Sequence, residues 1–252
     1  MKPAFEKAVA IISFTAALSP LLLWYFRRLK DGGDEPLGLV ALALAALLAW
    51  KERNEFSASP RLSILLLAIY GGTIWLNLPP LIRAIPALAA LAAWYGLWKR
   101  PPLLALLFLS LPVITSLQFY ANYPLRVFAA HAAEIILGLF GISVTLSGVN
   151  LNYEGISISV DPPCSGIRML WVSCFLAASF AGRARLGWIA TALLGGSAVI
   201  LAIIANALRA TILFFPESGL VHWPHWTHQA TGIVLFAATS TILLLSSNSL
   251  QR

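Results

Sequence analysis

Read for hydrophobicity alone, the chain is a succession of apolar runs separated by short polar or proline-marked breaks such as Lys51-Glu52-Arg53, Leu78-Pro79-Pro80 and Lys99-Arg100-Pro101-Pro102. The runs cover residues 8–26, 36–50, 62–78, 84–98, 102–118, 164–181, 187–215 and 228–246. They are apolar on all sides, as helices in lipid or in a buried core must be, and most approach the roughly 20 residues that cross a bilayer. The pattern predicts an all-α polytopic membrane protein with about eight transmembrane helices. One stretch reads differently. Residues 124–142 are apolar but carry Arg126, His131 and Glu134, and after them Ile156-Ser157-Ile158-Ser159-Val160 alternates strictly. Residues 144–153 alternate more weakly, with Gly148 and Gly155 as turn positions, so a small extracytoplasmic β-hairpin is expected just before the run that opens at Cys164.

Composition fits this reading. Of 252 residues, 59% are hydrophobic and 11% charged, with mean hydropathy +0.82, outside the range of water-soluble domains. A single integral membrane domain over residues 1–252 is expected, divided into N-terminal spans (1–117) and a core (118–246). The first run follows Lys2 and Lys7, but no small-residue cleavage pattern precedes Arg27-Arg28, so it reads as a retained span. The net charge of +7 sits at span ends, which points to membrane topology and against nucleic acid. If 124–142 lies flat or only dips in, a cytoplasmic N-terminus puts Lys2, Lys7, Lys51, Arg53, Arg61, Lys99, Arg100, Arg183, Arg185 and Arg252 inside. The opposite side then holds Arg27, Arg28, Lys30, Arg83 and Arg126. Both termini are therefore expected in the cytoplasm, with residues 119–163 and 216–227 as outward loops.

Three places carry candidate chemistry. Cys164 follows Pro162-Pro163 in the stretch Ser159 to Trp171, SVDPPCSGIRMLW. If Asp161 caps a helix and Pro162 takes its first position, Cys164 lies in the first turn, where free amides and the helix dipole favour a thiolate. Arg168, four residues on, then adds a cation on the same face. The other reading of Cys164 is a small packed hydrophobe, and Cys174, mid-span among Val172, Ser173 and Phe175, fits that one. Ten helical residues rise about 15 Å, too far for a disulfide between them. In Asn206-Ala207-Leu208-Arg209 an arginine lies inside an apolar run, which calls for a polar cavity, a partner or snorkelling. Finally, His222, His225 and His228 recur at three-residue intervals. Metal ligation is one reading, but Pro224 interrupts the helical face and Glu217 is the only other ligand type nearby. Alternatively, Thr227 caps the last span, His228 opens it as an acid or base, and Gly232 leaves space beside it.

Taken together, Cys164-Ser165-Gly166-Ile167-Arg168, Asn206-Ala207-Leu208-Arg209 and His228-x3-Gly232-x3-Phe236, with Gln118 and Tyr123-Pro124-Leu125-Arg126 upstream, resemble the exosortase/archaeosortase family of polytopic membrane cysteine transpeptidases. The resemblance covers about residues 118–240. It departs from the family at Pro162-Pro163, where members often carry an acidic residue and alanine. It implies that Cys164 forms a thioester with a substrate carbonyl, Arg209 stabilises the oxyanion and His228 moves the protons. Arg168, Arg126, Asn206, Ser165 and Gly232 are the supporting or substrate-binding candidates. The implied substrates are exported proteins with a C-terminal tripartite signal: a Pro-Glu-Pro-like motif, a hydrophobic span and a basic tail. That signal is cut at the outer face of the cytoplasmic (inner) membrane, facing the periplasm or the cell exterior, and the product is either released by hydrolysis or passed to an acceptor nucleophile of unknown identity. Membrane lipid surrounds the enzyme, and the chemistry requires no metal and no cofactor. The competing readings are a transporter or channel using Arg126, Glu134 and Arg209, a lipid phosphatase, and a scaffold subunit of an envelope assembly.

Overall fold

A computed structural model of the chain describes residues 2–30, 37–160, 166–224 and 226–251. It divides into two compact units, residues 1–113 and 114–252.

Among the described residues unit 1 holds five α-helices: α1 (Lys2–Lys30), α2 (Leu37–Lys51), α3 (Pro60–Trp75), α4 (Pro80–Tyr95) and α5 (Pro101–Leu109). Proline opens α3, α4 and α5, where its missing N–H removes no helical bond and its fixed φ suits the first turn. α3 and α4 pair closely because α4 buries a set of alanines, Ala84, Ala87, Ala90, Ala92 and Ala93. Two bonds lock them: Ser59 N–H donates to Ala93 O (2.9 Å) and Ser63 Oγ to Ala90 O (2.9 Å). Gly96 ends α4 in the left-handed conformation (φ 72), and a Cβ there would lie 2.4 Å from Ser57 O, so only glycine fits.

The other brace of unit 1 is ionic. Arg100, at the start of α5, pairs through Nε with Glu52 (2.8 Å) and also with Glu55, in the segment after α2. Glu52 is 6% exposed, so losing the Arg100 guanidinium takes a counter-charge from a buried carboxylate. We expect Arg100→Ala to cost about 3 kcal/mol, read as a drop of several degrees in the thermal transition of the purified chain. The loss in an Arg100→Ala/Glu52→Ala double variant should fall well short of the sum of the single losses; strict additivity would refute the coupling.

Unit 2 holds α6 (Ile114–Leu139), a sheet, α7 (Ile167–Arg183), α8 (Trp188–Glu217) and α9 (Thr227–Ser249). The sheet is a three-stranded antiparallel meander of β1 (Thr145–Ser147), β2 (Asn150–Tyr153) and β3 (Ile156–Ser159), one strand more than the expected hairpin. Gly148 takes a positive φ in the first turn, and Glu154 (φ 47) and Gly155 (φ 84) both do so in the second, the pairing that suits a two-residue hairpin loop. Leu151 and Ile158 face each other in register and point inward. With Val160 they pack on Ala129, Ala130, Ala133 and Leu137 of α6 and on Ala210, Leu213 and Phe214 of α8. A T-shaped contact of Tyr153 with Phe214 (5.7 Å) closes this core.

A second core gathers the far ends of α7, α8 and α9 around Ala177, Ala181, Leu194, Ala198 and Leu243. A tight turn joins α7 to α8, with Leu186 N–H on Ala181 O (3.0 Å), and Arg183 reaches Asn248 Oδ1 (3.0 Å) on α9. α7 and α9 therefore run parallel, with α8 antiparallel to both.

Two expectations are corrected. Residues 102–118 are not one helix: α5 stops at Leu109, and Pro112, which biases Leu111 away from helical geometry, marks the break. The expected loop is also shorter, because α6 runs unbroken to Leu139 with Pro124 inside it. Among the described residues α8 and α9 are long and apolar enough to cross a membrane. α2, α3 and α4, with 15 or 16 residues, rise about 22–24 Å, short of the roughly 30 Å hydrocarbon core.

Candidate active site

The site is built at the end of unit 2 where α7 and α9 begin and α8 nears its end. The sheet leads into it. Arg126 of α6 donates from Nε to the Val160 carbonyl, and Val160 N–H donates to Val149 O (3.0 Å), so the end of β3 is held from two sides. Arg126 is the last of three polar positions at four-residue spacing, after Gln118 and Asn122. The Asn122 Oδ1 is buried and accepts no hydrogen bond among the described residues. Sequence reading passed over Asn122, although it lies midway between Gln118 and Arg126, four residues from each, and that spacing could have found it.

Asp161, Pro162, Cys164 and Ser165 lie outside the described residues. The chain is described again from Gly166, in the left-handed conformation (φ 76), with α7 starting at Ile167 and its first bond from Leu170 N–H to Gly166 O (2.8 Å). A left-handed residue breaks the α-helical frame. The expectation that one helix carries Cys164 and Arg168 on a common face falls on residues outside the described set; the described helix begins at Ile167, so Arg168 occupies the first turn of α7. That turn has the unpaired amides and positive dipole end that favour an anion.

Gly166 is seated on α8. A Cβ built on it would stand 2.6 Å from Cγ and 2.9 Å from Cβ of Asn206, which is 5% exposed. Beneath this contact a shallow crevice is lined by Leu125 and Phe128 of α6, Leu170 of α7 and Ala202 of α8. Gly166→Ala therefore faces both strain and collision. We expect a loss of about 2 kcal/mol of stability in thermal unfolding, partly recovered by Gly166→Ala/Asn206→Gly, which removes the collision but not the strain. A Gly166→Ala chain as stable as wild type would show that this seat is unimportant.

Arg209 follows Asn206 by three residues on the same face of α8. Its guanidinium lies against Gly232 of α9, where a Cβ would be 3.8 Å from both Cζ and Nε. The Nε is buried and makes no hydrogen bond among the described residues. His228 lies four residues before Gly232, one helical turn away on the same face. As expected it opens α9, but Thr227 is not the cap: it is the first helical residue, and its hydroxyl donates to Pro224 O (2.7 Å).

The structure thus joins Gly166 to Asn206 and Arg209 to Gly232, with Arg168 and His228 on the first turns of the flanking helices. His222 is exposed in the loop before α9, His225 lies outside the described residues, and no three potential metal ligands come together among the described residues. Cys174 is a free, half-buried thiol midway along α7. His131 pairs with Glu134 (3.2 Å) on an exposed stretch of α6. Desolvation and the neighbouring Glu154 carboxylate raise the Tyr153 phenol above its ordinary value.

A search of curated proteins and a search of solved structures each return no match. Over residues 29–245, which include every residue of the site described above, the sequence matches the family model for transmembrane exosortase, and the chain belongs to that family.

Proposed function

We propose that the chain is a membrane-embedded cysteine protease or transpeptidase that removes the C-terminal sorting signal of exported proteins through a thioester. The Cys164 thiolate attacks the scissile carbonyl carbon, and the carbonyl electron pair moves onto oxygen, where Arg209 receives the charge. When the tetrahedral species collapses, the C–N bond breaks and protonated His228 gives its proton to the leaving amine. An incoming nucleophile, water or an acceptor, then passes its proton to His228 as it attacks the thioester, and Cys164 departs as thiolate. The chemistry balances without metal or cofactor.

The observation that carries this reading is Arg209. A guanidinium with a buried, unsatisfied Nε is costly in an apolar helix pair. It is also a preorganised donor for a group that becomes negative only during reaction. Its neighbour Gly232 lies one turn from His228, and on the same face of α8 Asn206 seats the residue two positions after Cys164. Arg168 is the candidate for a substrate carboxylate, while Arg126, Asn206 and Gly232 act as positioning residues; Ser165 remains a supporting candidate from its motif. About eight crossings, cytoplasmic termini, a core over residues 118–246 and a site facing the periplasm from the inner membrane complete the reading.

The test is to co-express the chain with an exported reporter ending in the motif, span and basic tail, and to sequence the reporter's C-terminus by mass spectrometry. Loss of span and tail only when the chain is present is expected. Retention of the intact tail, with the enzyme correctly inserted, would contradict the proposal.

A further inference from the structure

We propose that unit 1 carries a second site, for an anionic phospholipid. Between α2, α4 and α5 lies a cavity of about 510 Å³, walled mainly by Ala45, Ala46 and Ala49 of α2, Leu91 of α4, and Leu103 and Leu107 of α5. This volume lies within the range of small-ligand sites. The alanines leave the space, and the walls offer an occupant almost nothing polar. Among the described residues, the one charged residue lining it is Arg53. Its guanidinium stacks 4.8 Å over the ring of Trp50, which is 70% exposed, and donates to Trp50 O (3.2 Å). Arg53 forms no ion pair among the described residues. An aromatic ring and an arginine beside an apolar cleft match the headgroup level of a lipid.

Charge and size choose the occupant. The segments 51–61 and 99–100, tied together by the Arg100 ion pairs and the Ser59 to Ala93 bond, carry five basic residues against two acidic ones, a net +3. Both acids are engaged by Arg100. That field attracts a phosphodiester and repels a hydrophobic span that ends in a basic tail. A helix about 10 Å across would fill the cavity in little more than one turn, whereas a flexible chain of methylenes follows its walls.

The test uses native mass spectrometry of the purified full chain with equimolar dioleoylphosphatidylglycerol and dioleoylphosphatidylcholine. Retention of the glycerol lipid by about fivefold over the choline lipid is expected, the preference one arginine confers. Arg53→Gln, which leaves the other basic residues in place, should lower the preference for the glycerol lipid toward parity, and Ala46→Trp, at an exposed wall position, should abolish retention of both while the chain still elutes as a single species. Equal retention of both lipids by wild type, or undiminished glycerol-lipid retention in Ala46→Trp, would overturn the proposal. So would an Ala46→Trp chain that keeps its lipid but no longer trims the reporter, since the groove would then take a peptide helix. The lipid readout does not depend on signal removal, so its failure leaves the proposed function untouched.

Discussion

Cys164→Ala is expected to abolish removal of the sorting signal, with a rate loss of about 10⁴-fold or more, the scale on which enzymes lose activity when a nucleophile is deleted. The argument is chemical. Without a group that forms the acyl intermediate, Arg209 and His228 have only water to activate. Cys174 supplies the internal control: it is a half-buried free thiol midway along α7, packed against the core around Ala177 and Leu194. Cys174→Ala should therefore process the reporter at close to the wild-type rate. If Cys164→Ala trims the reporter and Cys174→Ala does not, the assignment of the nucleophile is wrong. If neither matters, a transporter or a scaffold becomes the better reading.

The second large effect is at Arg209. Arg209→Met keeps the length and apolar stem of the side chain but deletes the cation, and kcat should fall by about 10²–10³-fold, the loss typical of an oxyanion donor. Arg209→Lys should recover only part of this, because an ammonium lacks the planar fork of donors. Stability separates this role from a structural one. Because the Arg209 Nε is buried without a hydrogen-bond partner among the described residues, Arg209→Met should unfold at the same temperature as wild type or higher. A lower transition temperature matched by an equal loss of folded enzyme, with normal turnover in what remains, would make Arg209 a packing residue.

Much of this architecture was written in local signals. The apolar runs gave the helices, and the alternation around Gly148 and Gly155 gave strands on an otherwise helical chain, though not the third strand. That strand depends on pairing, with Leu151 and Ile158 brought into register against α6. Pro112 was a visible break inside the run 102–118, but the length of the run outweighed it. Pro124 carries the same local signal and yet α6 passes through it, because neighbouring packing decides what a proline does in an apolar helix. The left-handed Gly166 before α7 was not legible for a related reason: the side chain it lies against, Asn206, is forty residues further along the chain. Arg209 beside Gly232 was anticipated only as space near His228. Which side chain fills it depends on how α8 crosses α9, and no single sequence segment records that.

The most direct measurement is to mix the purified chain with the reporter without added acceptor, quench in acid, and determine intact mass and the modified peptide. The account predicts the signal-free reporter joined to Cys164, released by neutral hydroxylamine as a thioester must be, present in Cys174→Ala and absent in Cys164→Ala. Removal of the signal by Cys164→Ala, or an adduct carried by any residue other than Cys164, would contradict it.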